Sequence, residues 1–293
     1  MIRTILYVSY SLLLLIAGYS AVLAQNGQII AAATHQKLQH HSGSLSAEQR
    51  KYNAGSNGVI VMTYNIHHAN PPSREKEHID LDTIAAVIRN AKADLVAIQE
   101  LDSAVIRSGN SFQLKLLAEK LNMYYYFAKA ISYQGGSYGV GILSRYPIRD
   151  MQTVQLPKIE GFTGEDRVLA VVKITLPKNK DIYFGCTHLD VSKEENRILQ
   201  TKAIAGFAAK LAVPFIMGGD LNSTNEKAAI QQLYNVLQDA SSKQEPTIPV
   251  LKPVRRIDYI LYTRNAFRVK NEEVLTSRNY ESDHLPFVAH LTW

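Results

Sequence analysis

Apolar runs in this chain repeatedly end on a polar side chain, and that placement limits the folds open to it. "GVIVMTYNI" gives out at Asn65, "DLVAIQE" at Glu100, "DIYFGCTHLD" at His188, and "PFIMGGDLN" at Asp220 and Asn222. "RRIDYILY" opens at Asp258, and Asp283 and His284 stand in the loop before the last run, "LPFVAHLTW". Short apolar runs bounded by turn formers read as buried strands. One polar residue at a strand end is ordinarily a turn or a cap. Six such places carrying Asn, Glu, Asp and His are better explained as a site, because loops at strand ends converge over a rigid scaffold.

Helical spacing fills the gaps between the strands. "DTIAAVIRNAKAD" sets Ile84, Ala85, Val87, Ile88 and Ala91 on one face, and "SFQLKLLAEKLN" does the same with Phe112, Leu116, Leu117 and Leu121. Further helices are expected over roughly 193–211 and 226–237. The runs "GVGILSRYPI", "RVLAVVKITL" and "DIYFGCTHLD" follow one another with only turns between, as antiparallel neighbours do. Strands with occasional helices suit a layered α/β protein with mixed sheets, not an alternating parallel barrel. Residues 58–293 read as a single domain.

The N-terminal segment reads differently. Arg3 precedes the uncharged run "TILYVSYSLLLLIAGYSAVLA", and Ala24 follows Val22 as at a cleavage site, so 1–24 is expected to be a signal peptide. Left uncut, the run is long enough to anchor the chain in a membrane. Residues 25–57, with His35, His40 and His41, read as a polar linker or arm. The expected location is therefore exported, periplasmic or secreted. The single cysteine, Cys186, makes no internal disulfide and is expected to be buried and inert. A net charge of +6 is compatible with an anionic substrate and is far from a nucleic-acid-coating protein.

Residues two apart share a strand face. This rule pairs Asp220 with Asn222, His188 with Asp190, and Asn65 with His67, and sends His68 away from them. The donors are mostly oxygens, which suit a hard divalent cation over zinc. Magnesium with one or two carboxylates, waters and phosphate oxygens makes a phosphoester the natural substrate.

"TYNIHHA", "DLVAIQELD", "YGVGILSRYPI", "THLD", "GGDLN", "RIDYIL" and "SDHLP" occur in this order from about residue 59 to the end. Together they resemble the endonuclease/exonuclease/phosphatase superfamily of metal-dependent hydrolases. The resemblance implies a four-layer α/β/β/α sandwich of two mixed, mainly antiparallel sheets flanked by helices. It also implies Mg2+, with Mn2+ or Ca2+ as substitutes, in-line attack of an activated water, and a phosphoester substrate without an obligate protein partner, in a chain expected to be monomeric.

Roles follow residue by residue. Glu100 matches the main metal carboxylate, Asn65 lies in the same site, and Asp283 matches a further metal or phosphate-orienting acid. Asp220 matches the acid that orients or deprotonates water, and Asn222 a contact to phosphate or metal-bound water. His284 matches the histidine at the scissile phosphate, with Asp258 fixing its tautomer, and His188 a second active-site histidine. His67, Arg107, Tyr138 and Arg167 are candidate substrate contacts, whereas His68 is expected to pack or sit in a loop. The "YNIHH", "ILSRYPI" and "THLD" wording is similar to exported bacterial hydrolases and a sphingomyelinase-like branch, which favours a small or lipid-headgroup phosphoester. A secreted nuclease and a non-catalytic phosphoester-binding surface protein remain open at this point.

Overall fold

A computed structural model of the protein describes residues 57–276 and 281–293; the expected signal peptide and nearly all of the expected linker lie outside them. Two six-stranded sheets form the centre. The first contains β1 (Gly58–Asn65), β2 (Leu95–Ser103), β3 (Tyr124–Tyr133), β4 (Gly136–Ser144), β11 (Arg268–Val274) and β12 (Phe287–Thr292), in the order β11-β12-β1-β2-β4-β3. The second contains β5 (Ile148–Gln155), β6 (Val168–Leu176), β7 (Lys180–His188), β8 (Phe215–Asp220), β9 (Leu237–Asp239) and β10 (Asp258–Thr263), in the order β5-β6-β7-β8-β10-β9. Each sheet has one parallel pair, β1–β2 and β7–β8, and is otherwise antiparallel.

The period-2 pattern builds the layers. Val59 and Val61 of β1 point between the sheets, where they meet Ala97, Ile142, Phe184, Ile216 and Ile260. Their neighbours Met62 and Tyr64 point outward against α1 (Leu81–Asn90) and α2 (Gln113–Leu121). On the far side Phe215 and Met217 of β8 pack with Ile204 of α3 (Glu194–Ala208) and Ile230 and Leu233 of α4 (Ala228–Tyr234). The result is the expected α/β/β/α sandwich. Asp80 caps α1 by accepting the Thr83 N–H at 2.9 Å.

The sheets approach closely at Gly218. A Cβ there would lie 2.7 Å from Ala97 Cβ and 3.1 Å from Thr63 Cβ, both on the facing sheet. A glycine is therefore needed for β8 to approach β1 and β2 at the end where their polar residues stand.

Several local expectations need correction. α2 buries Gln113, Leu114, Leu117 and Ala118, while Phe112 is exposed and Leu116 half-buried. The helix begins after Phe112, and Gln113 takes an inner position by accepting the Asp102 N–H at 2.9 Å and donating to the His68 carbonyl at 2.7 Å. Of the three consecutive runs expected as antiparallel neighbours, only β6 and β7 pair with each other, and β4 lies in the other sheet between β2 and β3. The chain changes sheet after β4 and enters β5, a mostly exposed edge strand with too little apolar content to stand out. The helix expected over 226–237 ends at Tyr234, and Leu237 begins β9.

Candidate active site

The parallel pairs explain why polar residues far apart in sequence meet. β1 ends at Asn65 and β2 runs beside it, while β7 ends at His188 beside Asp220, the last residue of β8. β10 is antiparallel to β8, so its first residue, Asp258, pairs with the last, Asp220. β12 is antiparallel to β1, which brings the 281–286 loop to the end of β1, and Ser282 Oγ donates to the Asn65 carbonyl at 2.7 Å. One rim thus collects strand ends from both sheets.

Asn65 ties the two sheets together there. Its Nδ2 donates to Glu100 Oε1 at 2.9 Å and to Asp220 Oδ2 at 3.1 Å, while its Oδ1 accepts the His67 N–H at 3.1 Å. Asn65 therefore meets the acids with its nitrogen, and its oxygen is engaged by the backbone. Glu100 sits where the β2–β4 register skips between Ile98 and Leu101, with φ of 60°. A bulge with this left-handed backbone re-aims one side chain out of the alternation.

Asp220 lies at the centre. Its Oδ2 is 3.6 Å from His188 Nε2 and 3.7 Å from His284 Nε2. His284 Nδ1 donates to Asp258 Oδ2 at 2.9 Å, and Thr247 Oγ1 donates to the same oxygen at 2.5 Å. These groups are almost wholly buried. Burial pushes the Asp220 carboxyl up to about 7. For His284 burial acts downward, but the Asp258 and Asp220 carboxylates together outweigh it and raise the imidazole to about 10. His188 goes well below its ordinary value, through burial first and then through Arg167 and His284. One histidine is held as a cation and the other neutral, on either side of one acid.

The two-residue alternation fails just beyond the strands. β8 stops at Asp220 and Asn222 has φ of 48°; the Asn222 N–H donates to Asp220 Oδ1 at 2.9 Å, and its Nδ2 donates to the Leu189 carbonyl at 3.1 Å. Asp190, beyond the end of β7, accepts the Ser192 and Lys193 N–H groups and so shapes the turn into α3. His67, His68 and Ala69 all have positive φ, at 45°, 43° and 57°. His68 consequently does not turn away: it is buried with its ring centroid 4.5 Å from that of His67, and both histidines offer a ligand atom to a group shared with Glu100. His68 is buried beyond the strand, as a packing or loop residue would be, but it does not point away from His67, because the strand period ends at Asn65.

Beside Glu100 opens a cavity of about 220 Å³ lined by Arg107, Ile131, Tyr133, Tyr138 and Glu165. Arg107 is fixed by a two-point ion pair to the buried Asp102, with Nε–Oδ2 of 2.8 Å and a second nitrogen 2.9 Å from Oδ1. Its guanidinium also lies 4.7 Å from the Tyr133 ring centroid and 5.6 Å from that of Tyr138. Arg167 is buried, pairs with Glu165 at 3.1 Å, and lines a small crevice with Tyr138 and His188. Asp283 accepts from Ser282 Oγ at 3.3 Å, and its charge acts on His68 and His284.

Thr247, Ser282 and Glu165 are site neighbours absent from the sequence-based candidates. Ser282 stands inside "SDHLP" and was within reach of that motif; Thr247 and Glu165 lie in loops with no pattern to mark them. Cys186 is buried as expected, accepts from Gln99 Nε2 at 3.3 Å, and is pushed up to about 12 chiefly by burial.

The donor set fits a divalent cation. Glu100 Oε1 and Asp220 Oδ2 converge on one amide nitrogen, and Asp258 Oδ1 is buried without a hydrogen-bond partner among the described residues. Concentrated buried negative charge of this kind is costly without a counter-charge.

Comparison with known proteins agrees with the geometry. A family model described as "Endonuclease/Exonuclease/phosphatase family" matches residues 62–284. The uncharacterized protein YbhP of Escherichia coli (strain K12) is 26% identical over 247 residues, which are 79% of this chain and 95% of that protein. Among solved structures, an endonuclease/exonuclease/phosphatase from Beutenbergia cavernae is similar at 25% identity and a TM-score of 0.66, over 80% of this chain and 71% of that one. The mannosyl-6-phosphatase Bt3783 of Bacteroides thetaiotaomicron shares the fold at 19% identity and a TM-score of 0.67, over 80% of this chain and all of that one. The chain belongs to the endonuclease/exonuclease/phosphatase family of metal-dependent phosphoester hydrolases.

Proposed function

We propose that this protein is an exported phosphoesterase that hydrolyses a small or lipid-headgroup phosphoester by in-line attack of water. The observation that carries the reading is Asp220 standing between a cationic His284 and a neutral His188, with Asp258 behind His284. Asp220, raised to about 7, is matched to accept a proton from water near neutral pH. His284 carries its second proton on Nε2, 3.7 Å from Asp220 Oδ2, and can donate it to the departing oxygen. Asp258 holds Nδ1–H, which fixes the ring and sustains its charge. His188, neutral, offers a hydrogen bond without adding charge. Glu100 would hold the divalent cation, with Asn65 beside it and Asp283 at the margin, which leaves Asp220 to take the proton. Magnesium is the proposed ion, and when bound it supplies positive charge against the phosphoryl oxygens.

The cavity beside Glu100 supports a compact leaving group. About 220 Å³ is below the roughly 300–1,000 Å³ of drug-sized pockets, and its aromatic, cationic and acidic lining suits a polar headgroup. The apolar N-terminal run ending in Ala24 supports export.

The test is turnover of bis-p-nitrophenyl phosphate, sphingomyelin, phosphoinositides and plasmid DNA, each with magnesium or EDTA. EDTA-sensitive hydrolysis of a small or lipid substrate above that of DNA is expected. Faster cleavage of DNA would replace this substrate class with nucleic acid, and no turnover of anything would leave a binding protein.

A further inference from the structure

We propose that His67 and His68, together with Glu100, form a nitrogen-bearing site for a divalent transition-metal ion at the edge of the active-site rim. One ring nitrogen from each histidine and one Glu100 carboxylate oxygen lie within 4.8 Å of one another. Two imidazoles and one carboxylate on one side of an ion, with further positions open, suit zinc, iron or manganese far better than magnesium. This departs from the mostly oxygen donor set that the strand-end residues suggest.

Two independent features prepare the histidines for this work. His67 Nδ1 is 3.0 Å from the Asn70 carbonyl, an acceptor, so Nδ1 carries the proton and Nε2 is left with the lone pair. A backbone carbonyl on the far nitrogen is the usual support for a metal-bound imidazole. His68 is 7% exposed, and its Nδ1 has no hydrogen-bond partner among the described residues. A buried, unsatisfied imidazole is unfavourable unless something else uses the ring.

The backbone is held in the form that brings the rings together. The Gln113 side chain donates to the His68 carbonyl at 2.7 Å, and the Asn65 side chain accepts the His67 N–H. Three successive residues with positive φ are a cost that a plain loop would not retain. That turn puts two adjacent side chains on one side of the chain, which a strand never does. The ion would share Glu100 with the hydrolytic centre, and the inference rests on the proposed function only in taking Glu100 as a metal carboxylate.

Zinc binding to the purified full chain tests this without measuring activity. Calorimetric titration with zinc chloride, in a large excess of magnesium, is expected to show one equivalent bound. H67Q and H68Q should each weaken it at least about 10-fold, the least that losing even an outer support of a metal site costs, and the double variant should abolish it. Cobalt(II) in place of zinc should give visible d–d absorption in the wild type that both single variants reduce. Circular dichroism of each variant establishes folding, and H68N serves if H68Q does not fold. Zinc affinity unchanged in folded H67Q/H68Q, or no zinc bound by the wild type, overturns the site. Either of those results beside intact EDTA-sensitive hydrolysis removes the histidine site alone and leaves the proposed function standing. Histidine-dependent zinc binding without turnover of any phosphoester supports the site and removes the function instead.

Discussion

Asp258 and His284 act as a unit, and their partners make the consequences separable. D258N keeps the shape but withdraws the charge that holds His284 up at about 10. It is expected to lower kcat by about 100- to 10,000-fold, the range of general acid–base help, with a much smaller change in KM. The sign of the stability effect follows from the same shift. A histidine raised from 6.5 in the folded state contributes stability that is fully present below that value and lost as pH rises through about 10. D258N should therefore lower Tm near pH 7, with the difference narrowing as pH approaches 10. A Tm difference that does not change with pH would contradict this. At this scale the sequence was informative where a motif met a strand end, at Asp220 and Asp258, and in the loop that carries His284. Glu100 also reaches the rim, but from a bulge inside β2, which continues to Ser103 and does not end at Glu100 as expected. The sequence misled at Asn222, Asp190 and His68, because period-2 reasoning was carried past residues whose backbone had already left the strand.

At the level of elements, the site depends on two sheets approaching closely at Gly218. G218A places a methyl group 2.7 Å from Ala97 Cβ, a backbone-mounted atom that cannot swing aside. Overpacking of this kind costs about 1–3 kcal/mol, and urea unfolding should show it. Activity should fall further than stability, since the Asn65–Asp220 bond spans the same gap. Asp94 makes a second test, away from the site. Its carboxylate accepts the Ile60 N–H at 2.9 Å and faces Arg145 at 3.4 Å, and burial raises it from 3.8 to about 6. That contribution is fully present below 3.8 and lost as pH rises through about 6, so D94N should flatten the stability profile between about pH 4 and 6. The apolar strand and helix faces were legible because burial on one side imposes a period. β5 was not, since an edge strand with one exposed face and polar content carries almost no apolar signal.

For the whole molecule, the sequence order of the motifs implied the sandwich, but the allocation of strands to sheets was not readable from them. β4 and β6 look alike as apolar runs, yet they lie in different sheets. The architecture also explains why one rim is enough. Each sheet contributes the C-terminal half of its single parallel pair, and the antiparallel neighbours contribute the N-terminal ends of the next strands or the loops before them, so acids and histidines from 65 to 284 converge on one rim. The whole assembly is then a charge-focusing device for a phosphoester, and its central requirement is a cation at the carboxylates. The most direct measurement is the rate of bis-p-nitrophenyl phosphate hydrolysis by wild type and E100Q, with magnesium and with EDTA. Wild-type turnover that EDTA abolishes and magnesium restores, with E100Q folded but at least about 100-fold slower, is the predicted result; E100Q turning over at the wild-type rate, or turnover indifferent to EDTA, would contradict it.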